Sequence, residues 1–181
     1  MKVQKAIEKR RSVRKYQDKR VSDILVKELI EAARLAPSAY NAQPSKFIIL
    51  RNKEIKEKLR RNNVFKQAFV YNSPLIIVCL GDPEVYPEKR LESIYGSPQE
   101  IAGNIGAVRD VSIGAQNLVL RAMELGLGTC YIGLVARDKI KEILGIPSNY
   151  ILPFVIMAGY PAEKPNPTPR KDLKDFIIKD F

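Results

Sequence analysis

The chain is organised around the sequence RRSVRKY at positions 10–16. Three arginines, one lysine and two hydroxyl groups stand within these seven residues. Each guanidinium group offers a planar fork of N–H donors, which is suited to a phosphate group. Basic residues at the end of a first helix would also complement the helix macrodipole while facing solvent. The stretch by itself leaves both interpretations open.

The composition is typical of a globular protein, with 45% hydrophobic and 28% charged residues among 181. This length suffices for one compact domain. No apolar run reaches the roughly 20 residues that cross a bilayer, and the first residues form no apolar signal segment. We therefore expect a cytoplasmic protein. Cys79 and Cys130 lie far apart in apolar stretches and are expected to be reduced core residues.

The charge balance and the absence of histidine narrow the possible functions. A net charge of +11 admits an anionic partner, which would be nucleic acid, a membrane surface or a phosphorylated small molecule. The charge is spread among acidic residues, as on a solvated surface, and no basic stripe with interleaved aromatic residues indicates nucleic-acid binding. Without histidine, Ser-His-Asp and Cys-His catalysis and histidine metal sites are excluded. We expect an enzyme of this composition to rely on a bound cofactor or on carboxylate, lysine or tyrosine groups, and no metal-ligand cluster is visible.

Hydrophobic periodicity predicts an irregular alternation of helices and strands, hence a layered α/β or α+β domain with one sheet between helices. Helices are predicted over 2–9, 23–36, 53–61, 64–71, 105–125 and 137–144, and strands over 46–50, 75–80, 129–132 and 151–158. The sequence APSAYNAQP at positions 36–44 predicts a helix end and a polar turn, and 81–100 an irregular loop of the kind that carries specificity. Four prolines after Tyr160 predict an extended arm that ends in an apolar patch at 176–178. Such an arm favours docking on a partner surface, and a frayed tail is the alternative.

Several segments together resemble the FMN-dependent nitroreductase family. They are RRSVRKY at 10–16, EAARLAPSAYNAQP at 31–44, QNL at 116–118 with LGLGTCYIG at 125–133, and LGIP at 144–147 with GYP at 159–161. Their order and spacing cover nearly the whole chain. The resemblance implies an α+β, three-layer fold with a central mixed sheet flanked by helices. It also implies that residues 1–181 form a single FMN-binding domain in an intertwined homodimer, with an arm at about 162–181 docking on the partner subunit.

The resemblance assigns residues to the phosphate end of FMN. Arg10, Ser12 and Arg14 match positions that hold the phosphate and the ribityl chain. The backbone of Arg11 matches a position that lies along the cofactor, and Arg170 matches a second cation near the phosphate.

Other residues match the flavin ring site. The segment that reaches the flavin from the partner subunit is matched by Pro37, Ser38, Asn41 and Gln43. The strand end against the isoalloxazine ring, near its reactive N5 edge, is matched by Tyr131, Ile132 and Gly133. Lys66 and Gln67 lie where the family often places a polar contact to the pyrimidine edge. Two positions depart from the family pattern, since Ser45 and Tyr131 stand where many members have an aromatic residue and Trp. These departures leave the shape of the substrate pocket open.

The function implied by the resemblance is that of an NAD(P)H oxidoreductase. It would reduce nitroaromatic, quinone or similar small-molecule acceptors by ping-pong hydride transfer through flavin N5, with no catalytic side chain. One alternative keeps FMN but has specialised chemistry of the dehalogenating or flavin-cleaving type. Another alternative is a basic nucleic-acid-binding protein. We expect a homodimer that binds no nucleic acid, membrane or metal.

Overall fold

The computed structural model describes residues 2–87 and 99–179. The helices are α1 (Val3–Lys9), α2 (Asp23–Arg34), α3 (Lys53–Arg61), α4 (Gln99–Glu124) and α5 (Arg137–Leu144). The strands are β1 (Ser45–Leu50), β2 (Leu75–Gly81), β3 (Gly128–Ile132) and β4 (Ile151–Gly159). None of the helices in these two ranges is long and apolar enough to cross a membrane.

The four strands form one sheet in the order β1-β2-β4-β3, so β1 and β3 are its edges. Every pair of neighbouring strands is antiparallel. β2 and β3 run in the same direction, but they are not neighbours because β4 lies between them and runs the opposite way. The sheet therefore lacks the parallel ladder that a mixed sheet would contain. Within the described ranges, parallel pairing is limited to the single bridge between Ser12 and Thr129 at the β3 edge. The expected mixed sheet is therefore an antiparallel sheet with one parallel bridge.

Helices cover both faces of the sheet, which confirms the three-layer arrangement. On one face, Leu59 of α3 and Ile140 of α5 are fully buried against Val78 and Met157. On the other face, α2 and α4 pack against the alternate side chains of the same strands. β2 is buried along its whole length because it is covered on both faces. A rigid central layer of this kind fixes the positions of its two edges.

The element boundaries mostly follow the predictions, and local sequence explains why. The Ser22 hydroxyl accepts the Leu25 N–H at 3.3 Å, which begins α2. The Asn52 side chain accepts the Ile55 N–H at 2.9 Å, and α3 spans the predicted 53–61.

Two predicted boundaries need correction. The helix predicted over 64–71 is a bend followed by a short 3-10 turn at Ala68–Asn72, because Phe65 pairs with Val135 in a β-bridge. α4 begins at Gln99, six residues before its predicted start at 105. Most of the predicted specificity loop, residues 88–98, lies outside the described residues.

Candidate functional site

The basic segment 10–16 docks beside the edge strand β3. The Val13 N–H donates to the Thr129 carbonyl at 2.9 Å, and the Tyr16 hydroxyl donates to the Val13 carbonyl at 2.6 Å. Gly128 makes the approach possible, because a Cβ atom there would lie 2.7 Å from Val13 Cγ2. Val13 is buried, so it anchors the segment between the half-buried Arg10 and Arg11 and the exposed Arg14 and Lys15. The anchor explains how a short polar stretch keeps a defined position.

Three of the residues assigned to the phosphate alternate along the segment beside β3. Arg10, Ser12 and Arg14 stand at every second position, and Ser12 pairs with Thr129 in a parallel bridge. Burial raises the pKa of the Cys130 thiol, while the charge of Arg14, a hydrogen bond from Ser12 and the charge of Arg10 oppose that rise. A groove of about 590 Å³ runs past this segment, between the end of α4 and the arm that follows β4, and Arg10 is among its lining residues. The structure therefore places the segment that carries Arg10, Ser12 and Arg14 beside an open space.

Arg11 has a different role from its neighbours. Its guanidinium donates to the carbonyls of Glu8 and Arg10, both at 2.7 Å. These bonds satisfy carbonyl groups at the end of α1, which have no partner inside the helix. The Arg11 side chain is therefore bound to the end of α1. Only the backbone of Arg11 takes part in segment 10–16.

Glu163 is a site residue that the sequence reasoning missed. Its Oε1 atom accepts the backbone N–H groups of Arg14 at 2.6 Å and Lys15 at 3.1 Å. The Ala162 N–H also donates to the Lys15 carbonyl at 2.9 Å. The Arg14 N–H bond is the main reason that the pKa of Glu163 lies below its ordinary value. Glu163 is the only acidic residue between positions 160 and 171, and that isolation was a signal that sequence reasoning had available.

Beyond Thr129, no residue in the described ranges bridges to the outer edge of β3. Residues alternate along a strand, so Tyr131 directs its backbone groups outward as Thr129 does, past the point where segment 10–16 departs. The Tyr131 ring packs edge-on against Phe154 at 5.0 Å, and its hydroxyl donates to Gln116 Oε1 at 3.4 Å. Ile132 is buried, and a Cβ atom added to exposed Gly133 would meet nothing within 4 Å. The edge can therefore receive a flat ligand against its backbone.

Gln67 lies near the far end of this edge. The bridge between Phe65 and Val135 and the bond from the Ala136 N–H to the Val64 carbonyl, 2.8 Å, hold loop 64–67 just after β3. The Gln67 Oε1 atom is buried and has no hydrogen-bond partner among the described residues, while Lys66 is exposed. An unpaired buried acceptor costs about 1–3 kcal/mol. A ligand N–H group at this position would remove that cost.

The turn containing Pro37, Ser38, Asn41 and Gln43 lies elsewhere in the chain, immediately before β1. The Ser38 hydroxyl accepts the Gln43 N–H at 2.9 Å, and the Gln43 side chain donates to the Asn41 carbonyl at 3.2 Å. Since β2 and β4 separate β1 from β3, the two edges are about 14 Å apart at the usual strand spacing. One chain therefore does not bring this turn to the β3 edge.

This turn is also conformationally strained. Tyr40, Asn41 and Gln43 have φ values of 56°, 53° and 50°. Left-handed backbone at a residue other than glycine costs on the order of 1–3 kcal/mol and is concentrated at functional sites. The surrounding contacts must therefore impose this conformation.

Among the described residues, Arg170 forms no hydrogen bond to the other predicted phosphate ligands. Its guanidinium donates to Thr168 Oγ1 at 2.8 Å and to the Pro169 carbonyl at 3.4 Å, both within its own segment. The arm beyond it exposes the apolar residues Leu173, Phe176, Ile177 and Ile178. In the described ranges, no group of three or more cysteine, aspartate or glutamate residues is placed to hold a metal ion.

Comparison with known proteins identifies the family of this chain. The family model described as Nitroreductase family matches residues 7–160. A protein of Archaeoglobus fulgidus, provisionally named NADH dehydrogenase/NAD(P)H nitroreductase, is 34% identical over 182 aligned residues. That alignment covers 97% of this chain and 90% of the relative.

Solved structures share the fold along the whole chain. A nitroreductase family protein of Streptococcus pneumoniae has a TM-score of 0.83 at 25% identity, covering 99% of this chain and 100% of its own. A protein of Exiguobacterium sibiricum, provisionally named a nitroreductase and solved in complex with FMN, has a TM-score of 0.85 at 23% identity, covering 99% and 98%. Because the family model matches most of the chain and the archaeal relative aligns over nearly all of it, this protein is an oxidoreductase of the nitroreductase family.

Proposed function

We propose that this protein is an FMN-dependent NAD(P)H oxidoreductase that reduces nitroaromatic, quinone or similar acceptors. The observation that carries the proposal is the arrangement along β3. The basic segment with Arg10 and Arg14 docks at Thr129, and the buried Gln67 acceptor lies in the loop that pairs with Val135 just after the strand. When bound, FMN supplies the redox chemistry: hydride uptake at N5 from NAD(P)H, then electron transfer to the acceptor in ping-pong order. The chain's own residues bind and orient the cofactor, a role that requires no histidine.

At the phosphate end, Arg10 and Arg14 supply charge and Ser12 supplies a hydroxyl donor. Charge-assisted hydrogen bonds of this kind are worth about 1.5–3 kcal/mol each. Glu163 holds the Arg14 and Lys15 backbone in place for this purpose. Arg170 adds a second cation when the arm takes up its position in the assembly, and the Arg11 backbone follows the cofactor chain.

At the ring end, the backbone of Tyr131, Ile132 and Gly133 would hold the isoalloxazine. The Gln67 amide oxygen would accept an N–H group of the pyrimidine edge, which would give this buried acceptor a partner. The residues present therefore fit the cofactor at both of its ends.

We also propose that the active form is an intertwined homodimer in which each site takes residues from both copies. Pro37, Ser38, Asn41 and Gln43 lie at the opposite sheet edge from Arg10, so a second copy is needed to bring them to the flavin. Residues 1–181 form one domain, and the arm at about 162–181 docks its exposed apolar residues on the partner subunit. The enzyme works in the cytoplasm, where NAD(P)H is available as the donor.

FMN titration of the apoprotein tests cofactor binding. Arg10→Ala and Arg14→Ala should each raise the Kd for FMN by about tenfold or more, since each removes a charged contact worth about 1.5–3 kcal/mol. Arg61→Ala is the matched control, because this arginine of α3 is 78% exposed and pairs with Glu57 away from the site. If both site variants bind FMN as tightly as the control, the phosphate assignment is wrong.

Mixed dimers test whether the site is shared between copies. One tagged copy carries Arg10→Ala with Arg14→Ala, and the other carries Ser38→Ala with Asn41→Ala. A shared site leaves one intact site in the mixed dimer, which should bind one FMN per dimer with the wild-type Kd. A site contained within one chain would leave no intact site, and FMN binding at the wild-type Kd would then be absent.

A further inference from the structure

We propose that Asp110 is the positioning residue that sets the strained turn 38–43 for its contact with the flavin of the partner subunit. This inference rests on the proposed function, because the turn can contact a flavin only if the protein binds FMN. Asp110 lies on α4, and its carboxylate bonds to Ala39, Tyr86 and Arg109 rather than to segment 10–16. Its role is to hold another segment rather than to contact the cofactor.

The Asp110 carboxylate is buried and fully engaged. The residue is 3% exposed. Its Oδ2 atom accepts the Ala39 N–H at 2.9 Å and the Tyr86 hydroxyl at 2.9 Å, and its Oδ1 atom accepts Arg109 Nε at 2.8 Å. Burial raises the pKa of Asp110, but Arg109, the Ala39 N–H and Tyr86 together hold it below the ordinary value, so the group is charged. A buried charge with three donors has a single favoured geometry, which makes it a rigid point of attachment.

Asp110 attaches to the turn just before its left-handed residues. Ala39 directly follows Ser38 and precedes the left-handed residues Tyr40, Asn41 and Gln43. The internal bonds of the turn, from Gln43 to Ser38 and Asn41, close it on itself but do not tie it to the domain. The Ala39–Asp110 bond spans 71 residues of sequence and supplies that tie.

Tyr86 extends the same contact to the residues that follow β2. It is 2% exposed and packs with Ala107, Ala39 and Ala42. Gly106 allows this packing, since a Cβ atom there would lie 3.1 Å from the Tyr86 ring. Asp110 therefore joins α4, the turn and the residues after β2 at one buried point.

The test compares FMN binding by four variants of the full-length protein. Asp110→Ala removes every acceptor, whereas Asp110→Asn keeps an amide oxygen that can accept from Ala39. Ala39→Pro removes the N–H donor and places the proline Cδ against the Asp110 carboxylate, whose Oδ2 atom is 2.9 Å from the Ala39 nitrogen, so it breaks the contact from the side of the turn. The preceding residue, Ser38, has φ and ψ of −138° and 153°, which suit a residue before proline. Ser112→Ala is the control, since its hydroxyl bonds only within α4, to Val108 at 2.7 Å.

We expect Asp110→Ala and Ala39→Pro to raise the Kd for FMN at least tenfold and to change the visible spectrum of the flavin that does bind. Asp110→Asn should recover most of the affinity, and Ser112→Ala should behave as wild type. A folded Ala39→Pro variant with wild-type Kd and spectrum overturns the inference, and this variant decides the matter if Asp110→Ala does not fold. Wild-type protein that binds no FMN overturns the proposed function instead, and with it this role.

Discussion

Replacing Gly128 with alanine tests how the basic segment is held on β3. The new Cβ atom would lie 2.7, 2.8 and 3.0 Å from Val13 Cγ2, Cβ and Cγ1, whereas ordinary contact begins near 3.4 Å. The two segments would therefore have to separate by about 0.7 Å at the closest point, the difference between those distances. The bond from the Val13 N–H to the Thr129 carbonyl, now 2.9 Å, has little room to lengthen before it leaves the normal range.

Overpacking of this kind costs about 1–3 kcal/mol, although a glycine-to-alanine change without a clash stabilises by about 0.4–1 kcal/mol. We expect Gly128→Ala to lower the free energy of unfolding by about 1–2 kcal/mol on those figures. Because the same segment carries Arg10, Ser12 and Arg14, the Kd for FMN should rise about tenfold, which corresponds to about 1.4 kcal/mol.

The assay combines denaturant unfolding of the apoprotein with FMN titration followed by flavin fluorescence. Val13→Gly removes all three clashing atoms, so the double variant Val13→Gly/Gly128→Ala should be less destabilised than the sum of the single changes. A Gly128→Ala variant with unchanged stability and unchanged FMN affinity would refute the view that this close approach positions the phosphate ligands. Additive effects in the double variant would show that the two residues do not meet.

Three further predictions concern other parts of the molecule. Gln67→Leu should stabilise the apoprotein by about 1 kcal/mol, since it removes a buried unpaired acceptor, and it should weaken FMN binding. Thermal unfolding with and without FMN measures both effects. A loss of apoprotein stability would contradict the reasoning. The pKa of Asp110 is depressed in the folded state by Arg109, Ala39 and Tyr86, so its contribution to stability is present above the unfolded pKa of about 3.9 and is lost as the pH falls below it. The stability difference between wild type and Asp110→Asn should therefore be constant above about pH 5 and shrink in acid, and a difference that persists unchanged at pH 3 would count against it. Phe176→Asp should shift the dimer toward monomer, as measured by light scattering, because Phe176 is 67% exposed in the single chain and is proposed to dock on the partner subunit. Lys174→Asp in the same 3-10 turn is the control for the change in charge alone.

Local sequence determined much of the fold. The Asn52 cap and the helical spacing after it placed α3 at its observed limits. The helix predicted over 64–71 was wrong because Phe65 pairs with Val135, a contact across 70 positions that no local pattern contains. The sheet order, with β4 between β2 and β3, is likewise a tertiary property.

The candidate site also contains residues that local sequence predicted and residues that only tertiary contacts reveal. Arg10, Ser12 and Arg14 were predicted from one short motif, and the structure places that motif beside Thr129 at the edge of β3. Glu163 contacts Arg14 across 149 positions of sequence, and Asp110 contacts Ala39 across 71 positions. Neighbouring residues in the sequence therefore could not predict either contact. The turn at 37–43 was predicted as a site element, but its position at the opposite sheet edge follows only from the assembled sheet.

Anaerobic addition of NADH or NADPH to the FMN-loaded protein, followed by visible absorption, tests the central claim most directly. We predict that the protein retains a bound flavin spectrum after gel filtration, that the visible flavin band bleaches on addition of the donor, and that a quinone or nitroaromatic acceptor restores it. Bound flavin that no nicotinamide donor bleaches would contradict the reductase assignment and favour specialised chemistry on the same cofactor. Failure to bind FMN even when it is supplied in excess would contradict the site along β3 itself.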